Sequence, residues 1–298
     1  MKSTSTEKDI SIGETSKVAI VYRSRSEKAV KTAKQVAQWL QDRNVTVYTA
    51  SGQKLIAKTK YIHGKKMIST LSFVIVLGGD GTYLRAIRLI DGLQIPVLGI
   101  NMGSLGFLTS SPANKVYEAL NTVMQDKAKI HRRMLLQAKV YRKRKLKISA
   151  IALNDVVIER GSFSQLINIS ISKEKKLVSE IKADALIISS PTGSTAYNLA
   201  AGGPLLDPEV NALIITPVAA HALTSRPLIF PAHRKLHFRM EGGTQKANII
   251  IDGQEALALT PDDEIVVEQA ASDHLMIEPN NADFFHLLRE KLKFGDRA

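Results

Sequence analysis

Apolar residues recur along this chain in two rhythms. Up to about residue 130, short apolar runs alternate with stretches whose apolar residues fall three or four apart; beyond it the segments are short and alternate residue by residue. The first rhythm predicts strands buried on both faces with helices between them. Residues 17–22 form a first strand, with Val18, Ile20 and Val21 apolar. Ser24-x-x-Glu27 resembles a capping box and opens a helix carrying Ala29, Val30, Ala33, Val36, Ala37 and Leu40 on one face, ended at Asn44. A strand over 45–49 follows, then a basic, weakly periodic stretch over 53–70 that reads as a loop with a short helix. Residues 73–77 are a continuous apolar strand, and Leu84, Ile87 and Ile90 mark a helix ended by Asp91-Gly92. A strand over 95–100 and a helix begun by Ser111-Pro112, through Val116, Ala119, Leu120 and Val123, complete a doubly wound α/β domain.

The second rhythm predicts a mainly antiparallel β domain. Its expected strands are 135–141, 148–159, 165–172, 177–181, 185–189, 211–216, 236–240, 247–251 and 265–269, with Lys173 to Lys176 as a polar turn. Phe284, Leu287, Leu288, Lys291 and Leu292 fall at helical spacing, so a C-terminal helix over 283–294 is expected to pack back on the first domain. The domain reading is a flexible tail over 1–16, an α/β domain over 17–132, a β-rich domain over 133–278 and a returning segment over 279–298.

Composition narrows the class. The 298 residues are 44% hydrophobic, which argues against disorder, and carry no cysteine, so neither a disulfide nor a thiolate metal site is open to them. Residues 1–16 are polar and acidic rather than a signal peptide, and no apolar run is long enough to cross a bilayer, so a cytoplasmic protein is expected. A net charge of +13 favours anionic partners, while 5% aromatics leave little to stack unpaired bases on, so a small phosphorylated ligand fits better than a long nucleic acid.

Candidate chemistry concentrates where the 73–77 strand runs into Gly78-Gly79-Asp80-Gly81-Thr82. Glycines permit positive φ and close ligand approach, and free amides at a helix start favour phosphate. Gly78 and Gly79 are therefore candidate phosphate-binding residues. Asp80 has three candidate tasks: holding magnesium, accepting a proton from an attacking hydroxyl, or capping the helix. A second glycine-rich turn, residues 101–108, also follows a strand end. Asn154-Asp155 interrupts an apolar strand; a ribose or an amide would satisfy such a pair, as would a bulge or turn. Asp184 precedes a buried run, and residues 191–204 are dense in hydroxyls and small residues around Tyr197. Asp252-Gly253-Gln254 reads as a hairpin turn, and the basic run 141–147 as a solvated strand-loop-strand with an anion-binding patch as runner-up. His233 and His237 lack the Glu of HExxH and read as surface histidines. Neither a Walker A sequence nor GxGxxG is present.

Taken in order, Gly78-Gly79-Asp80-Gly81, Gly99-Ile100-Asn101 with Leu105-Gly106-Phe107-Leu108, Asn154-Asp155, Pro191-Thr192-Gly193-Ser194-Thr195-Ala196-Tyr197 and Asp252-Gly253 resemble the NAD kinase family, over about residues 17–285. The resemblance implies magnesium-dependent transfer of a phosphoryl group from ATP or polyphosphate to the 2′-hydroxyl of the adenosine ribose of NAD, giving NADP. It implies Asp80 as the catalytic proton acceptor, with Gly81 lining the same pocket. Dinucleotide contacts would come from Asn154, Asp155, Gln165, Lys182, Asp184, Thr195, Ala196, Tyr197, Asn198, Leu199, Ala200, Ala219 and Gln254, with no dedicated metal ligand. Gln165 stands where the family often has His or Arg, Lys182 where Arg is common, and Asp155 where Glu is frequent. A homodimer or homotetramer is implied. Two rivals remain in play: a lipid kinase of the related GGDG class, and a basic nucleotide- or nucleic-acid-binding protein without catalysis.

Overall fold

The computed structural model describes residues 16–161, 165–242, 246–279 and 284–293. The expected tail lies, up to residue 15, outside the described residues. The chain divides into two compact units, residues 1–132 with 274–298, and residues 133–273.

In the first unit the apolar runs become strands β1 (Lys17–Tyr22), β2 (Thr46–Ala50), β3 (Lys60–Ile62), β4 (Phe73–Gly78) and β5 (Val97–Asn101), all paired in parallel. Between them lie α1 (Glu27–Gln41), α2 (Gly64–Ile68) and α3 (Asp80–Ile90), and after them β6 (Ser111–Pro112), α4 (Val116–Met124) and β7 (Lys129–Arg133). One face of β1, β4 and β5, through Ile20, Ile75 and Leu98, packs on Ala33 and Val36 of α1 and on Leu120 of α4, while α3 lies against β4 and β1. This is the expected doubly wound arrangement. Two local expectations differ. The N-cap of α1 is Ser26, whose Oγ accepts from Ala29 N at 3.3 Å, so the helix is capped two residues later than the Ser24 signature and, with Ala29 at N3 and Glu27 at N1, by a simple N-cap rather than a capping box. Ser111-Pro112 extends a strand edge rather than starting a helix: it pairs with β5, and α4 begins only after a short 3₁₀ turn.

The second unit is a sandwich. One sheet runs, in spatial order, β12 (Lys176–Ala183), β11 (Ile167–Lys173), β16 (Leu236–Met240), β19 (Asp263–Gln269), β8 (Leu136–Arg142) and β9 (Lys145–Ala152). The other runs β15 (Leu228–Pro231), β14 (Ala212–Val218), β13 (Ala185–Ser189), β10 (Asp155–Arg160), β17 (Ala247–Ile251) and β18 (Gln254–Leu259). Their inner faces interdigitate through residues such as Val140, Ile169 and Phe238 against Ile158, Ile188 and Ile249. The single strand expected over 148–159 is in fact two, β9 and β10, belonging to different sheets, because the chain turns at Leu153-Asn154. The basic run 141–147 closes the β8–β9 hairpin with Lys143 and Arg144 in the left-handed region. Arg142 there forks onto the buried Asp263, with Nε to Oδ1 at 2.8 Å and Nη2 to Oδ2 at 2.7 Å. His233 lies in a turn rather than a strand, and His237 on β16 meets Glu264 at 2.9 Å.

The chain then re-enters the first unit as β20 (His274–Glu278), which pairs in parallel with β5 through Met276 and Ile277. It stands between β5 and β7, giving the order β3-β2-β1-β4-β5-β20-β7. Sequence reading had left this strand within the β-rich region. A buried Leu-Met-Ile run carries no mark of which sheet it joins. Helix α6 (Phe284–Leu292) follows, and Phe284 reaches the Phe107 ring, with centroids 6.5 Å apart.

Candidate active site

In the first unit the candidates gather at the carboxyl end of β4. Gly79 is the N-cap of α3 and makes no side-chain cap bond, and Asp80 is the first helical residue. Asp80 is thus not a cap. Its carboxylate instead faces the second glycine-rich turn: Oδ2 accepts from Phe107 N at 2.9 Å, and Oδ1 from Leu108 N at 3.1 Å and Thr109 Oγ1 at 3.2 Å. That turn is itself fixed by Asn101, whose Oδ1 accepts from Gly103 N at 2.7 Å and whose Nδ2 donates to Ser104 O and Thr109 Oγ1. The two glycine turns therefore form one hydrogen-bonded unit around a half-buried carboxylate.

The glycines act by space rather than by positive φ. Gly78, Gly79 and Gly81 all lie outside the left-handed region, contrary to the conformational freedom expected of them. A Cβ on Gly78 would sit 2.3 Å from Thr82 Oγ1, and one on Gly106 would sit 2.1 Å from Asp80 Oδ1. Beside Gly79 and Gly81 the space is open, with nothing within 4 Å of such a carbon. Bare backbone is thus exposed on both sides of Asp80, at a strand end and a helix start, where an anion is best received.

In the second unit the turn between β9 and β10 is braced by Asp252. Its Oδ2 accepts from Leu153 N at 2.8 Å, and its Oδ1 from Asn154 N at 2.8 Å and Asp155 N at 3.1 Å. Asp252 and Gly253 form the expected hairpin turn, with φ of 45° and 73°, so the same residue turns one hairpin and holds another segment. Gly193 fits beneath this turn because a Cβ there would lie 2.1 Å from Asn154 O. Ser190 N also donates to Asn154 O, and Ser190 Oγ to Leu153 O. Asp155 is 5% exposed. Burial, with the Asp252 charge adding to it, pushes its carboxyl up to about 7.

The run 191–204 is no loose loop. It forms a 3₁₀ turn over Thr192–Thr195 and a short helix, α5 (Tyr197–Ala200), with Thr192, Gly193, Ser194 and Asn198 buried. Asn198 is an internal staple: Nδ2 donates to Ser194 O and Pro204 O, and Oδ1 accepts from Thr216 Oγ1 at 2.6 Å. Its amide is thus occupied within the fold, unlike the ligand contact expected of its side chain. Tyr197, by contrast, is 42% exposed, and Thr195, Ala196, Leu199 and Ala200 are half-buried or exposed beside it. From Gly193 under Asn154 the segment runs along the sheet to Ala201, which packs on Val157, Ala185 and Ile187.

The remaining candidates except Gln254 sit at the other end of β13. Asp155 pairs with Ser189 and Glu159 with Ala185, so Asp184 lies at least four residue steps from the Asn154 turn, about 13 Å. There Asp184 N donates to Val218 O, His221 N to Lys182 O, and Ala219 adopts φ of 48°. Lys182, Asp184 and Ala219 are brought together, and Gln165 lies exposed just before β11, whose Ile167 pairs with Ala183. The Asp184 carboxylate already pairs with Arg160 Nε at 3.1 Å. Gln254 is exposed at the start of β18, next to the Asp252 turn.

Two family models match: the ATP-NAD kinase N-terminal domain over residues 18–128 and the ATP-NAD kinase C-terminal domain over residues 153–278. The chain belongs to the NAD kinase family. An NAD kinase of Bdellovibrio bacteriovorus is 52% identical over 284 residues, covering 95% of this chain and 94% of that one. An NAD kinase of Heliobacterium modesticaldum is 35% identical over 283 residues, 93% of this chain and 99% of that one. Among solved structures, yeast NADH kinase complexed with NADH shares the fold at a TM-score of 0.87 and 23% identity, covering 95% of this chain and 89% of that one. An Archaeoglobus fulgidus NAD kinase in complex with ATP does so at a TM-score of 0.73 and 22% identity, covering 93% and 98%. The predicted α/β and antiparallel β parts are thus those of NAD kinases. What sequence reading of this family member missed is the pair of braces, Asp252 under Asn154-Asp155 and the Phe107–Thr109 donors around Asp80. Neither carries a signal, since one half of each contact is backbone or a distant hydroxyl.

Proposed function

We propose that this NAD kinase family member moves the terminal phosphoryl group of ATP onto the 2′-hydroxyl of the adenosine ribose of NAD. The bond from that oxygen to the γ-phosphorus forms, the bridging β–γ bond breaks with its electron pair leaving on ADP, and the hydroxyl proton passes to Asp80. The observation that carries the reading is the Asp80 carboxylate, held by three donors between two stretches of bare glycine backbone. Fixing that carboxylate supplies orientation, and a base at this position contributes about a hundredfold or more.

Asn154 and Asp155 offer a donor and acceptors to the dinucleotide, with Tyr197 and residues 195–200 as an adjoining wall. Lys182, Asp184, Ala219, Gln165 and Gln254 are further contacts in this reading. Among the described residues no three His, Asp or Glu side chains converge on a point. That donor set suits magnesium carried in on the donor's phosphates, which asks one or two oxygens of the protein; Asp80 would face the ion, and the open backbone of Gly79 and Gly81 the phosphates. When bound, the ion neutralises charge on the transferring group. The reading extends to a cytoplasmic homodimer or homotetramer.

A coupled NADP assay with NAD and magnesium, run with ATP and with polyphosphate in parallel, tests the proposal. Asp80→Asn is expected to abolish NADP formation while NAD binding survives. Loss of NAD binding with turnover retained would refute the role.

A further inference from the structure

Helix α6 lies far along the chain from the glycine turns, yet it grips the residue that feeds Asp80. Phe107 donates its backbone N–H to Asp80 Oδ2 at 2.9 Å. The Phe107 ring is covered by Lys291, whose Nζ stands 4.3 Å from the ring centroid, and meets Phe284 at 6.5 Å and 47°. Phe284 is in turn braced edge-on by Phe285 at 5.5 Å. On its other side Phe107 is flanked by Gly106, which touches the Asp80 carboxylate closely enough to exclude any side chain, and by Leu108, which donates to Oδ1. Holding the ring from α6 restrains the Phe107 residue as a whole, and with it the Gly106–Phe107 and Phe107–Leu108 peptides whose N–H groups donate to Asp80.

We infer that α6 is a positioning device for Asp80, acting through the hold of Lys291 and Phe284 on Phe107. The inference rests on the reading of Asp80 as the proton acceptor. Loosening the two amide donors from Phe107 and Leu108 disperses the orientation of the Asp80 carboxylate. The effect is expected on turnover rather than on dinucleotide binding, because α6 bears on the turn that holds the base. Lys291 and Phe284 are positioning residues, with no contact to reacting atoms.

The test uses the full chain, with kcat and the KM for NAD measured for Lys291→Met, Lys291→Arg, Phe284→Ala and Asp80→Asn. Lys291 is exposed, so Lys291→Met is not expected to compromise folding, and melting curves check this for Phe284→Ala. Lys291→Met and Phe284→Ala are each expected to lower kcat about five- to tenfold, the factor carried by one cation–π contact or a weakened hydrogen bond. The KM for NAD should stay within about twofold. Lys291→Arg, which keeps the cation over the ring, should recover most of the loss. An unchanged kcat, a change that falls on KM instead, or a loss that Lys291→Arg does not recover overturns the inference while an inactive Asp80→Asn leaves the reading of Asp80 intact. An active Asp80→Asn overturns both.

Discussion

The Asp252 carboxylate lies 2.8 Å from the backbone N–H of Asn154, 98 residues earlier in the chain. With the Leu153 and Asp155 amides it makes a nest in reverse, one carboxylate satisfying three successive donors of an irregular turn. The position of Asn154 and Asp155 is thus set by a residue that need not touch a ligand.

Asp252→Asn replaces one acceptor oxygen by a donor facing an amide N–H. Hydrogen bonds to charged groups are worth about 2 kcal/mol, so the KM for NAD should rise about tenfold and the melting temperature should fall. Steady-state kinetics and thermal melts check both. A variant with wild-type KM would show that the turn holds itself.

Asp155 makes stability depend on pH in an unusual direction. Its folded value, about 7, lies above the ordinary 3.8. Between these limits the folded chain binds the extra proton, so stability falls as pH rises through the window and levels off above it. The amplitude is on the order of 4 kcal/mol at most. Urea midpoints at about pH 5 and about pH 8 should therefore differ in the wild type, and the difference should shrink in Asp155→Asn. Ribose hydroxyls donating to Asp155 favour its ionised form, so NAD binding near neutrality should release a proton. Calorimetry in buffers of different ionisation enthalpy reads that directly.

Gly106→Ala places a methyl carbon 2.1 Å from Asp80 Oδ1 and 2.4 Å from Thr109 Oγ1. The turn must back away, and the donors to Asp80 go with it. Turnover is expected to fall about a hundredfold or more, with NAD binding nearly unchanged. Near-normal kcat would mean the carboxylate needs no such frame.

Arg142→Ala leaves the Asp263 carboxylate, whose side chain is fully buried, without its cation and still bonded to Thr260. Breaking a buried pair this way costs about 3–5 kcal/mol, whereas replacing both residues by leucine should cost far less. Denaturant midpoints of the single and double variants decide it. Equal losses would point to packing rather than charge.

Strands 17–22, 185–189, 236–240 and 247–251 stand where the hydrophobic pattern puts them, because near-continuous burial in the first two and regular alternation in the last two leave little choice of bounds. The break at Leu153-Asn154 was visible as two polar residues in an apolar run, but not that the chain there changes sheets. At the site, the glycine turns and Asp80 were legible as motifs. The Arg160–Asp184 pair and the Asn198 staple were not, since an acid or an amide reads alike whether a ligand or the fold satisfies it. Even glycine deceived: the motif suggested torsional freedom, and what matters is the room left for Thr82 and Asp80.

β20 carries a cost for biosynthesis. Its place beside β5 stays vacant until the whole of 133–273 has emerged from the ribosome. Until then β5, beyond its short pairing with β6, presents an unpaired parallel edge at Val97 and Leu98, the kind of surface that recruits other chains. Truncation before residue 274 would therefore leave not a shorter enzyme but an open sheet, prone to pair with its neighbours.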